Sequence, residues 1–306
     1  GALYPGAATV QPARLALGLR ERLLAVGVEV CERSPVTRLE NRQGEVVART
    51  AGGSTRSRGD ATRLGGGGTV RAQAAVLAIG GAAKAPSAPL RNALTVSSSH
   101  VVLTEPVPDL LEEIGWTGGE CITDSRSLID YFRTTRDGRI AFGWGGGRIA
   151  PGARLHGRAE IDPEIVAAAA NRLRDYFPML AGRRITHAWG GPIDVSPTHL
   201  PIVVPLRGGN AFAAAGYTGN GVGPSHMVGR CLASLALDRR DEHWRLPIVD
   251  PSPQRVPPEP LHWLGGETIR RALIGKEAAE AAGRPPNPIS SLLSRIPHLI
   301  GFHIGR

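Results

Sequence analysis

The segment NAFAAAGYTGNGVGPSHMVGRCLASLALD, residues 210–238, decides the fold. It begins with five consecutive apolar residues, Ala211 to Ala215, a run that is typical of a buried strand. Four glycines follow within eight residues: Gly216, Gly219, Gly221 and Gly223. Because glycine has no Cβ atom, this density predicts a sharp turn whose backbone a ligand can approach closely.

The sequence predicts a helix directly after this turn. Pro224 and Ser225 suit its first turn, and its predicted buried face consists of residues at helical spacing: Met227, Cys231, Leu232 and Leu235. A helix N-terminus carries free N–H groups and a partial positive charge, which suit a phosphate, a carboxylate or a ring that becomes anionic. The segment is equally compatible with a plain strand-to-helix connection, and the chain contains neither GxGxxG nor GxxxxGK[ST].

Composition indicates a soluble globular protein. The 306 residues are 42% hydrophobic and 21% charged, which is enough for a substantial core and two lobes. No apolar run has the length of a membrane span. The net charge of +9 comes from scattered arginines, and without a basic run interleaved with aromatic residues it does not indicate a nucleic-acid partner.

Cysteine and histidine patterns give no sign of a disulfide framework or a metal site. Cys31, Cys121 and Cys231 are far apart and form no CxxC motif. The nine histidines form no HxxxH or HExxH pair. We therefore expect no bound metal and a reducing, cytoplasmic location.

The first 98 residues read as a helix followed by short strands. Leu15, Leu19, Leu23 and Val26 form one stripe of a helix over residues 12–27, and Gly27 is its predicted stop. Strand signals follow around residues 28, 30 and 36, and residues 38–79 read as a β-meander. Inside the meander, the segment AGGSTRSRGDATRLGGGG (residues 51–68) is low in complexity and is predicted to be a mobile loop.

Residues 99–190 change to an antiparallel pattern. Tyr131 and Arg133 point to one face of a predicted strand, and Asp130 and Phe132 point to the other. The dipeptide at residues 137–138, Asp-Gly, predicts a two-residue hairpin turn.

Two helices are predicted in the second half of the chain. Asp162 is the predicted N-cap of a helix over residues 162–177, with Pro163 at its first position. A second, amphipathic helix is predicted around residues 266–282 of a proline-rich tail. The apolar C-terminus either packs on the body of the protein or contacts a membrane surface or a partner.

Three stretches together resemble the D-amino-acid-oxidase superfamily of FAD-dependent oxidoreductases, especially its sarcosine, glycine and γ-glutamylputrescine oxidase branches. The first is QPARLALGLRERLLAVGVEVCERSPVTRL (Gln11 to Leu39), followed by AAVLAIGG. The second is LIDYFRTTRDGRIAFGWGG (Leu128 to Gly146), and the third runs from WGGPIDVSPTHLPIV to GNAFAAAGYTGNGVGPSHMVGR. Their order and spacing carry the resemblance over most of residues 1–238.

The resemblance implies a set of FAD contacts. Val36 is expected beside the adenine through its backbone, and Gly80 is expected to line the dinucleotide. The isoalloxazine is expected against Gly219, Asn220, Gly221 and Val222. The expected substrate-binding residues are Tyr131, Arg133 and Tyr217. Arg133 either pairs with a substrate carboxylate or is a surface arginine. Three aromatic side chains either line the substrate pocket or are simply packed in the protein: Trp189, His199 and Tyr217.

The expected fold class is mixed α/β: an incomplete Rossmann-like FAD-binding domain plus an antiparallel-sheet substrate domain. Residues 1–98 are the expected remainder of the FAD-binding domain, residues 99–190 the substrate domain, residues 191–238 the return to the FAD-binding domain and residues 239–306 a helical tail. The βαβ unit with GxGxxG that opens family members has no counterpart in the sequence, which makes tight FAD binding by these residues alone an open expectation.

The function implied by the resemblance is oxidation of an amine or amino acid to an imine by hydride transfer to FAD. The expected partner is a small-molecule amine or amino acid, and the oligomeric state stays open. Gly223 stands where sarcosine oxidases carry a lysine that helps oxygen to react, so an oxidase and a dehydrogenase both remain open. Gly191 falls near the place of the cysteine that tethers flavin covalently in those enzymes. The alternative is a non-catalytic remnant that acts as a binding or scaffold protein.

Overall fold

The computed structural model describes residues 2–42, 44–51, 53–57, 60–64, 67–84, 86–250 and 252–303. The chain divides into two compact units. Unit 1 comprises Gly1–Leu77, Val203–Ala213 and Ser225–Val249, and unit 2 comprises Ala78–Ile202, Ala214–Pro224 and Asp250–Arg306. The mixed α/β class predicted from the sequence is confirmed.

Unit 1 combines two helices with three small sheets. Its elements in chain order are α1 Pro12–Ala25, β1 Val30–Glu32, β2 Val36–Arg42, β3 Glu45–Thr50, β4 Gly53–Ser57, β5 Asp60–Leu64, β6 Thr69–Ala72 and β7 Ala75–Leu77. The chain then continues through unit 2 and returns to unit 1 at residues 203–213 and 225–249. The antiparallel sheet β2-β3-β6 is the predicted meander.

The low-complexity segment, residues 51–68, was predicted to be a mobile loop, but part of it forms strands. Within residues 51–68, β4 and β5 form an antiparallel hairpin, and β4 also pairs with β1. Backbone hydrogen bonds between strands do not require apolar side chains, so a composition of glycine, serine and arginine concealed these strands. Residues 52, 58, 59, 65 and 66 of this segment lie outside the described residues.

Helix α1 forms as predicted but buries none of its residues. Gly27 adopts a φ of +88°, a left-handed conformation that favours glycine at the end of a helix. The side chains of the predicted stripe are all partly exposed, among them Val26 at 58%. Helical periodicity therefore predicted the element but not its burial.

Unit 2 is built on one antiparallel sheet of five strands. Its elements up to residue 201 are α2 Ala88–Arg91, β8 Thr95–Thr104, α3 Pro108–Glu113, β9 Cys121–Thr123, β10 Asp130–Thr134, β11 Ile140–Trp144, α4 Pro163–Tyr176 and β12 Ile185–Val195. The strand order is β12-β8-β11-β10-β9. The later elements of the chain are β13 Ile202–Pro205, β14 Ala211–Ala215, α5 Pro224–Ala236, α6 Leu261–Ala281 and α7 Pro288–Leu299.

The strand and helix within residues 210–238 are β14 and α5. All five residues of β14 are buried, and β14 pairs with β7 in parallel. The predicted buried face of α5 is right for Cys231 and Leu232 but wrong for Met227, which is 48% exposed. Val228 and Ser234 are buried in addition, so the buried stripe is shifted by one residue around the helix.

The predicted hairpin at Asp137-Gly138 connects β10 and β11, but its loop is longer than two residues. The amide of Thr135 donates to the carbonyl of Arg139 at 2.9 Å, which leaves three residues in the loop. Gly138 has a φ of +72°, as expected for a turn followed by a left-handed glycine. The Asp-Gly dipeptide therefore predicted the position of the hairpin correctly, but the predicted loop of two residues is wrong, since the loop has three.

The core of unit 2 lies between this sheet and α4. The predicted N-cap of α4 is confirmed, because Oδ1 of Asp162 accepts a hydrogen bond from the amide of Glu164. Ile165, Ala169 and Leu173 of α4 are buried against the sheet. An aromatic cluster fills the space between them: Trp116, Phe132, Phe142, Tyr176 and Phe177.

Complete burial makes His100 a source of acid sensitivity. Its Nε2 accepts a hydrogen bond from the amide of Asp162 at 2.9 Å, which requires an unprotonated ring nitrogen. Burial lowers the pKa of His100, and the charge of Asp162 only partly opposes this. The folded protein therefore binds this proton less readily than the unfolded chain, so the free energy of unfolding falls as the pH drops below about 6.5.

His100→Gln is expected to reduce that pH dependence between about pH 7 and pH 5, by up to about 1.4 kcal/mol per pH unit. The glutamine side chain can accept the same hydrogen bond and does not titrate. Urea unfolding at a series of pH values measures the slope, and His187→Gln, at an exposed position on β12, is the control. An equally steep slope in His100→Gln would contradict this account. A residual slope is expected, because burial also lowers the pKa of His199 and His262.

Candidate functional site

The glycine turn, defined here as residues 216–223, is held in a conformation that requires glycine. Gly216 has a φ of +85°, and a Cβ atom there would lie 2.9 Å from Cβ of Ser196. The amide of Thr218 donates to the backbone carbonyl of Asp194 at 2.8 Å. The amide of Asn220 donates to the carbonyl of Tyr217 at 2.9 Å. The turn is therefore a defined structure attached to the end of β12.

Asp194 is the residue that fixes the start of this turn. Its side chain is 7% exposed, and Oδ2 accepts a hydrogen bond from the amide of Gly216 at 2.6 Å. Burial raises the pKa of Asp194, although backbone N–H groups of the turn, those of Gly216 and Tyr217, oppose the rise. The carboxyl group thus replaces water as the acceptor for the first amides of the turn.

Asp194 also brings a second glycine next to the turn. Gly80 has a φ of +54°, and a Cβ atom built on it would lie 3.9 Å from Oδ2 of Asp194. A Cβ atom built on the neighbouring Gly81 would lie 3.7 Å from Cβ of the same aspartate. Gly80 and the glycine turn were predicted as separate cofactor contacts from the sequence. In the structure both lie next to the carboxyl group of Asp194.

The outer side of the glycine turn is open. Among the described residues, a Cβ atom on Gly223 would meet no atom within 4 Å, and one on Gly219 would meet only Cδ1 of Ile193, at 3.8 Å. Val222 is 54% exposed. Gly221 differs, because its Cβ would lie 3.2 Å from Cβ of Tyr217. A flat ligand can therefore reach the backbone of the turn. Because Gly221 has no Cβ atom, the backbone at this position can pack closely against Tyr217.

The face of the unit 2 sheet that lies opposite α4 is called the open face below. Tyr131 lies on it, and its ring covers Gly143, where a Cβ atom would be only 2.1 Å from Cζ of the tyrosine. The Tyr131 hydroxyl forms a hydrogen bond of 2.8 Å with Oγ of Ser99. Burial raises the pKa of Tyr131, so the phenol stays neutral at ordinary pH and retains its proton.

Strand register continues the open face from Tyr131 to the glycine turn. Ser99 of β8 pairs with Gly191 of β12, and Ile193 follows two residues later on the same face. Ile193 is the residue whose Cδ1 approaches the Cβ position of Gly219. Trp189, also on this face, is 47% exposed. The register thus joins the predicted substrate residues and the predicted ring-binding turn on one surface of unit 2.

Arg133 lies on the open face two residues beyond Tyr131, opposite Ala141 of β11. Asp130 and Phe132 point to the core and are buried, which confirms the predicted assignment of faces. Tyr217 forms an isolated bridge with Val195, and burial together with the charge of Asp194 raises the pKa of its phenol.

Val36 is the one predicted site residue in unit 1. It is the first residue of β2, pairs with Thr50 of β3 and is 58% exposed. All other predicted site residues belong to unit 2: Gly80, Tyr131, Arg133, Tyr217, Gly219, Asn220, Gly221 and Val222.

Two residues of this site escaped the sequence analysis. Asp194 stands alone between Ile193 and Val195, and a lone acid inside a strand with apolar neighbours is a signal that it is buried and partnered. Ser99 is one of three consecutive serines in β8, and nothing in the sequence distinguishes the serine that reaches Tyr131.

The described residues contain no group of three or more His, Cys, Asp or Glu side chains arranged to hold a metal ion. In the same part of the chain, no helix has the length and apolar character needed to cross a membrane.

The glycine-rich strand–turn–helix and the antiparallel sheet are the two features that the sequence resemblance predicts for a FAD-dependent oxidoreductase. The chain belongs to the FAD-dependent oxidoreductase family DAO, whose model matches residues 1–235. The cofactor of this family is FAD.

Three known proteins illustrate the relationship. The probable oxidoreductase OrdL of Rhizobium meliloti (strain 1021) is 27% identical over 279 residues, which cover 88% of this chain and 54% of that protein. Gamma-glutamylputrescine oxidoreductase of Escherichia coli (strain K12) is 30% identical over 138 residues, covering 45% of this chain and 30% of that protein. The crystal structure of iminodiacetate oxidase from Chelativorans sp. BNC1 has a TM-score of 0.56 at 15% identity and covers 81% of this chain and 60% of that one. This chain spans about half the length of the first of these relatives.

The glycine turn fits part of an FAD molecule. The backbone around Gly219 and Gly223 forms a cradle that side chains would fill, since among the described residues a Cβ atom on Gly223 would meet nothing within 4 Å and one on Gly219 would meet only Cδ1 of Ile193. Helix α5 begins at Pro224, which follows the turn directly in the chain. Gly80, Gly219, Asn220, Gly221 and Val222 stay the residues of unit 2 that are predicted to contact the cofactor.

Gly221→Val is expected to weaken FAD binding at least tenfold, which corresponds to about 1.4 kcal/mol. The Cβ of valine would press on Tyr217 at 3.2 Å, so either the tyrosine or the turn must move. Flavin content and dissociation constant of the purified protein measure the effect. Gly229→Val is the control, because a Cβ at this helix position meets no described atom within 4 Å. Unchanged flavin affinity in Gly221→Val would remove this residue from the cofactor site.

Proposed function

We propose that the protein oxidises a C–N bond of an amine or amino acid to an imine, with FAD as the acceptor of the hydride. The observation that carries the proposal is the open face, where Tyr131 and Arg133 lie on the same surface of unit 2 as Gly191 and Ile193, next to the glycine turn. FAD, when bound, supplies the redox chemistry. The protein supplies position and electrostatics.

Arg133 is the proposed anchor of a substrate carboxylate. Its planar guanidinium group can donate two parallel hydrogen bonds to a carboxylate, which fixes the orientation of the reacting carbon as well as its position. Trp189, 47% exposed on the same face, offers an apolar wall for the rest of the substrate.

Tyr131 is proposed to orient the substrate through a neutral hydroxyl group. The hydrogen bond to Ser99 fixes the direction of the phenol, and the raised pKa keeps its proton in place. A substrate amine reacts in its unprotonated form, since its lone pair must form the new C=N bond as the hydride leaves. A neutral phenol beside the amine does not add the negative charge that would favour protonated amine.

Relatives support an amine rather than an alcohol as the reacting group. The names gamma-glutamylputrescine oxidoreductase and iminodiacetate oxidase both denote substrates with an amine nitrogen. The likeness in fold to the second adds only that the same framework hosts such an enzyme. Oxygen and other molecules are both candidate acceptors of the electrons of reduced flavin, because Gly223 stands where the resemblance to sarcosine oxidases implies a lysine.

Product analysis tests the proposal. The FAD-loaded protein is incubated with a panel of secondary amines and amino acids together with oxygen or, in parallel, an artificial dye. We expect one aldehyde or oxo acid and one molecule of ammonia or primary amine for each acceptor reduced, because water hydrolyses the imine. The matched hydroxy acids, which lack nitrogen, are the control. Turnover of hydroxy acids without turnover of any amine would overturn the proposal, and no turnover of either would favour a binding or scaffold protein.

A further inference from the structure

Helix α7 carries a row of apolar residues that faces solvent, called the α7 stripe below. Its members recur at intervals of three or four positions, which places them on one face of the helix: Ile289, Leu292, Ile296, Leu299 and, directly after the helix, Ile300. Four of these five residues are exposed, from Ile300 at 50% to Leu299 at 78%. A helix on the surface of a globular protein ordinarily turns such a stripe toward the core, so α7 is oriented the other way round.

A different face of α7, made of small residues, packs on the protein. Ser294 and Pro297 are its buried residues. A Cβ atom built on Gly275 of α6 would lie 3.6 Å from Oγ of Ser290 in α7. Small side chains thus let the two helices approach closely, and most of the α7 stripe is left in contact with solvent.

Hydrogen bonds hold both ends of α7. At the start, Oδ1 of Asn287 accepts a hydrogen bond from the amide of Ile289 at 2.8 Å, which caps the helix. Beyond its end, the amide of His303 donates to the carbonyl of Pro197 at 2.9 Å, and Pro197 follows β12. The α7 stripe is therefore a fixed surface of unit 2 and not one side of a fraying terminus.

The charge around the α7 stripe is positive. Residues 281–306 contain three arginines and neither Asp nor Glu. Arg295 is exposed on α7, and it borders the stripe because it lies three residues after Leu292 and four before Leu299. The last acidic residue before this segment, Glu280, is already paired with Lys276 at 2.8 Å.

We infer that the α7 stripe docks on the surface of an anionic lipid membrane. An apolar helix face bordered by basic residues is the pattern of a helix that lies in the plane of a membrane interface. Its apolar side chains enter the boundary of the acyl chains, and its arginines contact the lipid phosphates. The net charge of +9 of the whole chain adds to the attraction. This docking is independent of the proposed oxidation, since it shares no residue with the open face.

A second copy of the chain fits the α7 stripe less well than a membrane does. A helix of 12 residues is about 18 Å long and about 10 Å wide, so one face of it offers on the order of 200 Å², against the roughly 800 Å² that each partner of a stable complex buries. Two copies would also bring the same arginines together, and like charges repel. An anionic bilayer has no such limit of area and carries the opposite charge.

Co-sedimentation of the FAD-loaded protein with lipid vesicles tests this inference. We expect binding to vesicles of equimolar phosphatidylglycerol and phosphatidylcholine to be at least tenfold tighter than binding to phosphatidylcholine alone. Added salt is expected to weaken the binding to the anionic vesicles, because it screens exposed charges. Protein that stays in the supernatant with the anionic vesicles at low salt would overturn the inference.

Substitutions in the apolar stripe locate the contact. Leu292→Asn combined with Leu299→Asn is expected to weaken binding to the anionic vesicles at least tenfold, since two leucines no longer enter the apolar part of the bilayer. The matched control is Leu19→Asn combined with Leu237→Asn, two leucines of unit 1 that are 57% and 60% exposed. Thermal unfolding and flavin content report whether both variants fold. An equal loss of binding in the control, or none in the α7 variant, would show that α7 is not the docking surface.

The charge at the border of the stripe is tested separately. Arg295→Gln is expected to weaken binding to the anionic vesicles about fivefold and to leave binding to phosphatidylcholine alone unchanged. Arg174→Gln, at an exposed position of α4, is the control and is expected to change neither. Equal binding of Arg295→Gln and wild type to the anionic vesicles would remove this arginine from the docking surface.

Light scattering distinguishes a second copy from a membrane. The wild type and the α7 variant are expected to have the same mass in solution. A dimer that is lost in the α7 variant, together with no vesicle binding by the wild type, would assign the stripe to a second copy and contradict the inference. Amine oxidation without vesicles is expected to be the same in both proteins, so failure of the docking and failure of the proposed function are observed separately.

Discussion

Arg172→Ala is expected to lower the free energy of unfolding by about 3–5 kcal/mol. Asp130, on the core side of β10, is completely buried. Arg172 of α4 holds it with two hydrogen bonds, from Nε at 2.7 Å and from Nη2 at 2.6 Å. Removing this guanidinium group leaves a buried carboxylate whose side-chain donors among the described residues are Arg126 and the hydroxyl of Tyr176, both at a longer 3.2 Å.

The loss includes a packing contribution. The guanidinium carbon of Arg172 lies 5.1 Å from the centre of the Trp144 ring, an arrangement that favours a cation over an aromatic face. Urea denaturation at constant pH measures the change in unfolding free energy. Arg174→Ala, two residues away and exposed, is the matched control and is expected to change it by less than about 0.5 kcal/mol.

A double substitution distinguishes the cost of a buried charge that has lost its main partner from the cost of a lost contact. Replacing both partners, in Asp130→Leu with Arg172→Met, removes the buried charge as well as its counter-ion. Most of the stability lost in Arg172→Ala is then expected to return. A change of less than 1 kcal/mol in Arg172→Ala would show that this ion pair does not hold α4 to the sheet.

Arg133→Ala is expected to raise KM for an amino-acid substrate about 100-fold while kcat changes less than threefold. A bidentate hydrogen bond to a carboxylate contributes about 1.5–3 kcal/mol to binding, in the ground state and the transition state alike. Uniform binding of that kind appears in KM and not in kcat. Arg133→Lys is expected to recover only part of the loss, because an ammonium group lacks the planar fork.

Two controls make this result specific. Arg136→Ala removes an exposed arginine from the loop between β10 and β11 and is expected to leave both constants unchanged. A simple amine without a carboxylate is expected to be oxidised equally by the wild type and Arg133→Ala. Equal kinetics of Arg133→Ala and wild type with every amino acid would make Arg133 a structural residue of the sheet.

The strand–turn–helix and the antiparallel sheet were predictable because their signals are local. A run of apolar residues marked β14, and glycines followed by proline marked the turn and the start of α5. Alternation along β10 gave the correct faces for Tyr131 and Asp130. Each of these features depends on residues within one element, and the resemblance to a known family added the cofactor.

The parts of the site that escaped prediction depend on pairs distant in sequence. The hydrogen bond from Gly216 to Asp194 joins residues 22 positions apart, and that between Ser99 and Tyr131 joins residues 32 apart. Helix periodicity likewise gave the existence of α1 but not its exposure, because burial depends on what the rest of the fold places against it. The hairpin of β4 and β5 escaped because its pairing rests on backbone groups alone.

We propose that a substrate on the open face reduces FAD directly. Anaerobic mixing of the FAD-loaded protein with one equivalent of an amine or amino acid, followed through the absorbance of oxidised flavin, tests this step. Complete bleaching in a single phase is expected, with one imine-derived carbonyl product for each flavin, and slower bleaching by amino acids in Arg133→Ala at subsaturating concentration. Flavin that stays oxidised with every amine and amino acid, while remaining bound to the protein, would contradict it.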